Sequence, residues 1–218
     1  MNVPAPHDIM MESFRIIEDE IGPHKFSEQE WPIVRRMIHA CGELDIAPLV
    51  RFAKEPVEHG LAALYRGCPL VTDISMVAAG ISKKHLRARN LQLHCFIDDP
   101  EVHRLAQDQG GTRSYWGMAK ALADVGPGIY VVGSSPTALW AIAESIREGR
   151  VRPDLVVAVP VGFVAVEESK EDILSLDVPA IVLRGRKGGS GIAAAAVNAL
   201  LELAFGVESS SHAPRENS

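Results

Sequence analysis

The 218-residue sequence has no surplus of positive charge: 22 Lys and Arg stand against 28 Asp and Glu, a formal net charge of −6. A nucleic-acid binder needs a basic face or stripe, and the net acidity argues against that class. It does not exclude an anionic small ligand, because a cleft can be locally positive on an acidic protein. Cysteine is scarce. Cys41, Cys68 and Cys95 are odd in number, widely spaced and without a Cys-x-x-Cys pair. This argues against a disulfide framework or a zinc site, and for reduced thiols in a cytoplasmic protein. The eight histidines form no His-x-x-x-His or His-Glu pair, so no metal ligand set is read. Long hydrophobic runs are also lacking. The most apolar stretch, 192–203, contains Asn198 and Glu202 and is too short to span a bilayer. Residues 1–10 lack the basic-then-apolar pattern of a signal peptide.

What is present is the composition of an ordinary soluble protein, 47% apolar and 23% charged. A chain of this length buries roughly 70% of the surface its unfolded form exposes, enough for a core without staples. Short β-rich runs at 69–74, 91–96, 129–132, 155–159 and 180–184 alternate with helical patterns. The helical patterns lie near 27–42, 57–67, 100–108, 113–123, 135–148, 165–175 and 190–204, with a further helical segment around Glu12 to Arg15. The last three β-rich runs are almost continuously apolar, as parallel strands covered on both faces must be. Alternation of this kind predicts an α/β fold, three layers around a mainly parallel sheet, in a single domain over 1–205. Residues 206–218 are polar and aperiodic and read as a disordered tail. Ser27 and Glu30 form a capping box at the start of one helix, with Gly42 placed to end it. Ser135-Pro136 is an N-cap followed by proline at the first helical position.

Two turns follow strands and open helices. Gly133-Ser134-Ser135-Pro136-Thr137 is either an anion site, built from free N–H groups and the positive helix end, or an ordinary capped turn. It has neither a Walker A nor a Rossmann spacing. Arg184 to Ser190 combines three cations with three glycines, Arg186 and Gly188 among them. That is an anion-cradle composition, or else a solvated basic loop. In doubly wound folds both turns fall at the carboxyl ends of strands, where ligands bind. His39 shares a helical face with Arg35 and Gly42, with Arg36 one step around. A lone helical histidine is more often structural, and two neighbouring arginines oppose its protonation unless an anion joins them. Arg113, after the N-cap Thr112, puts a cation at a helix start, where the dipole disfavours it unless it grips a carboxylate.

In order along the chain, Glu12-Ser13-Phe14, the Arg36–Gly42 run, Thr72–Val77 with Gly80-Ile81, and Thr112-Arg113-Ser114 resemble one family. Pro136–Leu139, Pro160–Val164 with Glu168–Lys170, and Arg184–Ser190 continue the likeness, which spans about 12–203. The family is the precorrin-8X methylmutases of corrin biosynthesis. The resemblance implies an isomerase that moves a methyl group from C-11 to C-12 of a corrin-like tetrapyrrole. It further implies no dissociable cofactor, an α/β fold, and a homodimer with sites near the interface. By the same resemblance the catalytic histidine falls on His39, and substrate contacts fall on Ser13, Arg113 and Ser82. The charge and turn arguments add Arg36, Thr112, Ser135, Arg186 and Gly188. A departure is Gly133-Ser134-Ser135, where the family pattern has Gly-Asn-Ala. A non-catalytic corrin carrier is the alternative, and it would need no titrating group such as His39. A nucleotide-binding α/β module is a weaker one.

Overall fold

A computed structural model of the protein describes residues 5–206. The helices are α1 (Pro6–Ile21), α2 (Glu30–Cys41), α3 (Pro56–Tyr65), α4 (Ser75–Gly80), α5 (Lys83–Ala88), α6 (Pro100–Asp108), α7 (Arg113–Asp124), α8 (Pro136–Arg147), α9 (Val166–Ser175) and α10 (Ser190–Phe205). The strands are β1 (Val50–Ala53), β2 (Leu70–Thr72), β3 (Leu93–His94), β4 (Ile129–Val132), β5 (Leu155–Ala158) and β6 (Ala180–Leu183). They form one sheet in the order β1-β6-β5-β4-β2-β3, parallel throughout except for β1, which runs antiparallel to β6.

Strand residues alternate between two cores, as the two-residue period of a strand requires. Ile129, Val131, Leu155, Val157, Ile181 and Leu183 face the layer that includes α1, α2, α3 and α10. Tyr130, Val132, Val156, Ala158, Ala180 and Val182 face α7, α8 and α9. Every residue of β4, β5 and β6 is buried, and full burial of a Val, Leu or Ile side chain contributes roughly 1.5–3 kcal/mol. The three-layer α/β fold expected from the sequence is therefore the observed one.

Local signals act where they were read. The Ser27 N–H donates to Glu30 Oε2 (2.9 Å) while the Glu30 N–H donates to Ser27 Oγ (3.2 Å), completing the capping box. Gly42 closes α2 with its N–H on the Ile38 carbonyl. Three elements escaped the sequence: β1, and the six-residue helices α4 and α5. Helix α10 is apolar nearly all round because residues 192–197 and 199–201 are buried within this chain, against α2, α3, α4 and the sheet. The large exposed apolar side chains lie elsewhere, on α1 (Ile9, Met11, Ile16) and at Tyr65, Met76, Trp140, Val161, Phe163 and Val164. The polar tail lies outside the described residues, apart from Gly206.

Candidate active site

His39 occupies the last turn of α2 and is exposed. Its ring stands edge-on to Phe14 of α1, centroids 5.3 Å apart. It lies between two recesses. One, of about 270 Å³, is lined by Ser13, Ile16, Ile17, Glu20, His39 and Leu44, among others. The other, of about 300 Å³, is lined by Met10, Arg36, His39, Gly80, Ala194 and Asn198, among others. The fold thus brings Ser13, Arg36 and His39 together from α1 and α2. Ser82 joins them at one remove, because its N–H donates to Asn198 Oδ1 (2.8 Å) and Asn198 Nδ2 donates to the Gly80 carbonyl (2.9 Å). The Ser13 hydroxyl donates back to the Ile9 carbonyl at 2.8 Å. The two arginines flanking the histidine in sequence are already paired. Arg35 bonds Glu18 and lies over Phe14, its guanidinium carbon 4.2 Å from the ring centroid. Arg36 Nη1 meets Glu202 Oε2 of α10 at 2.9 Å. A substrate anion is not needed to balance them in the free chain.

The second cluster sits where the sheet order reverses. From β2 the chain passes outward to β3, and from β4 it passes the other way to β5, so the crevice between their carboxyl ends is the place where open α/β sheets bind ligands. Here that crevice is filled by the chain's own anion. Asp73, just beyond β2, is buried and accepts the N–H groups of Gly133 (3.1 Å), Ser134 (2.8 Å) and Ser135 (3.0 Å). Burial pushes its carboxyl above the usual carboxylate range, opposed by those three donors. The sequence left the 133–137 turn open between an anion site and a capped turn; its free N–H groups do receive an anion, and that anion is Asp73. What remains of the turn is a chain of hydroxyls, Ser135 Oγ to Thr137 Oγ1 (2.7 Å) to Thr112 Oγ1 (2.5 Å), which ties the starts of α7 and α8 together. Thr112 caps α7 by accepting the Tyr115 N–H (3.1 Å). Beside it, Arg113 lies 3.0 Å from His103 Nε2 and 3.6 Å from Asp98, so its cation has a carboxylate neighbour that local sequence did not indicate.

The third cluster is the basic loop after β6, whose three cations are all engaged. Arg184 forks onto Glu171 (2.5 and 2.8 Å), Arg186 meets Glu167 (3.0 Å), and Lys187 meets Glu43 (2.5 Å) and Asp45 (2.7 Å). Those carboxylates hold the Lys187 ammonium above the ordinary lysine range. Gly188 has φ +158°, and a Cβ there would lie 2.2 Å from the Val159 carbonyl oxygen. The loop is therefore pressed against the β5–α9 connection, which presents Phe163 and Val164, 84% and 81% exposed, at the same sheet edge. The Arg186 guanidinium is 5.6 Å from the Phe163 ring centroid.

The structure therefore places the expected site residues in three clusters: Ser13, Arg36 and His39 with Ser82; Thr112, Arg113 and Ser135; and Arg186 with Gly188. Sequence reasoning gave no role to Asp73, Asn198 or Lys170, and named Thr137 only as part of the 133–137 turn. Two left a signal: Asp73 is an acid directly after a buried strand, and Lys170 shares the 166, 169, 170, 173 spacing of the buried face of α9. The cysteines are free; burial raises the Cys41 thiol and pushes Cys68 up to about 12. Among the described residues no group of three His, Cys, Asp or Glu side chains could hold a metal ion, and no helix is long and apolar enough to cross a membrane.

Fold and site together define an α/β enzyme in which an exposed histidine stands between apolar recesses beside ion-paired arginines. Comparison with known proteins gives the class a family. The family model described as precorrin-8X methylmutase matches residues 8–203. A cobalt-precorrin-8 methylmutase from Leptospira interrogans is 40% identical over 204 residues, covering 90% of this chain and 93% of the relative. A precorrin-8X methylmutase from Sinorhizobium sp is 37% identical over 190 residues, 86% of this chain and 90% of the relative. The crystal structure of a precorrin-8X methylmutase from Thermus thermophilus superposes with a TM-score of 0.83 at 41% identity, covering 90% of this chain and 96% of that one. The chain belongs to the precorrin-8X methylmutase family.

Proposed function

We propose that this protein moves a methyl group from C-11 to C-12 of precorrin-8X or its cobalt form, giving hydrogenobyrinate or cobyrinate, with His39 as general acid. The observation that carries the assignment is the placement of His39. It is the one histidine that lines both recesses, and it has Ser13 in one of them and Arg36 in the other. The shift requires electrons to redistribute through a conjugated ring, which protonation of a ring atom assists. An imidazolium can give a proton and, once neutral, take it back, which suits that task. The proton is lent and returned, so the isomerisation needs no dissociable cofactor.

The macrocycle's carboxylate arms meet Arg113, Arg36 and Arg186, with Thr112, Ser135, Ser82, Ser13 and the backbone at Gly188 as further polar contacts. A hydrogen bond to a charged group contributes roughly 1.5–3 kcal/mol, and less at Arg36 and Arg186, where a resident glutamate must first be displaced. The exposed apolar residues at the carboxyl edge supply the floor for the ring. The working unit is a cytoplasmic homodimer with its sites near the interface. Replacing His39 with alanine tests the reading. Single-turnover methyl transfer should slow by about 10²–10⁴, the usual contribution of a positioned proton donor, while product binding persists. A variant that turns over at the parental rate would remove His39 from the mechanism and favour a carrier.

A further inference from the structure

Lys170 is fully buried in α9, an unusual location for a lysine. Its Nζ donates to the carbonyls of Gly185 (2.7 Å) and Lys187 (2.8 Å), two residues of the loop after β6. The carbonyl between them, that of Arg186, accepts the Gly162 N–H at 3.1 Å, and the Gly189 N–H donates to the Val159 carbonyl at 2.8 Å. Three successive carbonyls of the loop are thus held by protein donors, and Lys170 supplies two of the bonds. The loop's ion pairs hold the far ends of long side chains, and its three glycines leave the backbone itself little restrained. The lysine restrains it.

We infer that Lys170 is a positioning residue: it clamps the 185–187 backbone from beneath and so fixes where Arg186 stands at the rim beside Phe163. The substrate side of this inference rests on the function proposed above; the clamp itself does not. An ammonium has three donors and a neutral amine two, so both carbonyls are met in either protonation state. Burial brings the lysine down to about 8, with Glu167 one turn earlier opposing the shift. The other charged groups around it are Glu171 on α9, Arg184, Arg186 and Lys187 on the loop, and Glu43 and Asp45 beyond Lys187. Carboxylates and guanidinium groups keep their charge between pH 7 and 9, and Lys187 is held upward by its carboxylates. Lys170 is the group that titrates there.

The sign of the pH effect follows from linkage. An opened loop returns the amine to water, where lysine keeps its proton to about pH 10.4. Opening between the two values takes up a proton, so raising the pH from 7 to 9 suppresses opening by about tenfold. Below pH 7 opening is independent of pH.

Limited trypsin digestion reads this without any ligand, since Arg184, Arg186 and Lys187 are themselves cleavage sites. Rates are normalised to an unstructured peptide carrying the same loop sequence. In the parent protein the first cut at 184–187 should slow by about tenfold from pH 7 to pH 9. Lys170→Met leaves two partly buried carbonyls without their donor, and should be cut there at least about tenfold faster, with no pH dependence. In the same variant KM and the product Kd should rise about three- to fivefold while kcat changes by less than about twofold, since Arg186 would contribute binding and not chemistry. A merely structural lysine would lower the melting temperature and leave KM alone. Should Lys170→Met fail to fold, the pH dependence of cleavage in the parent protein still decides the matter. A pH-independent parent rate of cleavage at 184–187, or an unchanged KM in the folded variant, would overturn the inference. Failure of the parent protein to bind or convert the tetrapyrrole strikes the proposed function instead, and leaves the digestion result to judge the clamp.

Discussion

The Asp73 carboxylate can be tested by subtraction and then by replacement. Asp73→Ala removes one acceptor oxygen from Gly133 and another from Ser134 and Ser135. Gly133 N is buried, and the other two donors are partly so. A buried donor left without a partner costs about 1–3 kcal/mol. Part of this is recovered, because removing the carboxylate also removes the burial cost that raises its pKa. A net loss of roughly 2–4 kcal/mol is expected, which for a domain of 150–250 residues lowers Tm by about 4–16 °C. The cavity left behind is lined by three converging N–H groups at the start of α8, so it should accept a small carboxylate. Formate at about ten times its Kd would restore about 1.4 kcal/mol, or roughly 3–6 °C of Tm, in the variant and nothing in the parent protein. The measurement is thermal unfolding by circular dichroism, with and without formate, with chloride at equal ionic strength as the control. A variant melting within about 2 °C of the parent, or one indifferent to formate, would show that the three hydrogen bonds are not what organises this turn.

Other outcomes are expected elsewhere in the molecule. Arg113→Ala should weaken product binding by about 1.5–3 kcal/mol, measured by spectroscopic titration; an unchanged Kd would exclude a direct contact. Gly188→Ala forces a Cβ to within 2.2 Å of the Val159 carbonyl oxygen, so the loop must move. Loss of several degrees of Tm and faster tryptic cleavage at 184–187 should appear together. Light scattering at micromolar concentration should give twice the 23.6 kDa chain mass; a fully active monomer would remove the dimer from the proposal.

The sequence was legible where one physical requirement dominated. β4, β5 and β6 had to be apolar at every position because both faces are buried, and some helices were bounded by their own punctuation, α2 by its capping box and α8 by Pro136 in its first turn. β1 carries no such mark. It is a four-residue edge strand with one buried residue, and its arginine and half-buried Phe52 do not distinguish it from a loop. α4 and α5 are too short to show a helical period. The site was legible as a set of positively charged or N–H-rich turns, and illegible as a set of pairs. Asp73 lies 60 residues from Gly133, Glu43 lies 144 from Lys187, and Glu202 lies 166 from Arg36. Partners at such separations are chosen by the topology of the sheet and by the way α10 crosses α2.

The pairing of the arginines carries a consequence for selectivity. Arg36 and Arg186 do not wait for a ligand with empty hands: Glu202 and Glu167 already occupy them. A ligand carboxylate that takes either arginine performs an exchange, and its net gain is the difference between two similar ion pairs. For partly exposed groups that difference is small. A single carboxylate therefore gains little over the resident glutamate, whereas a rigid molecule that presents several at fixed spacing adds the small gains together and loses its freedom of movement only once. The pre-paired rim would thus act as a filter on the number and spacing of acidic groups, turning away the abundant small carboxylic acids of a cell while admitting a macrocycle edged with them.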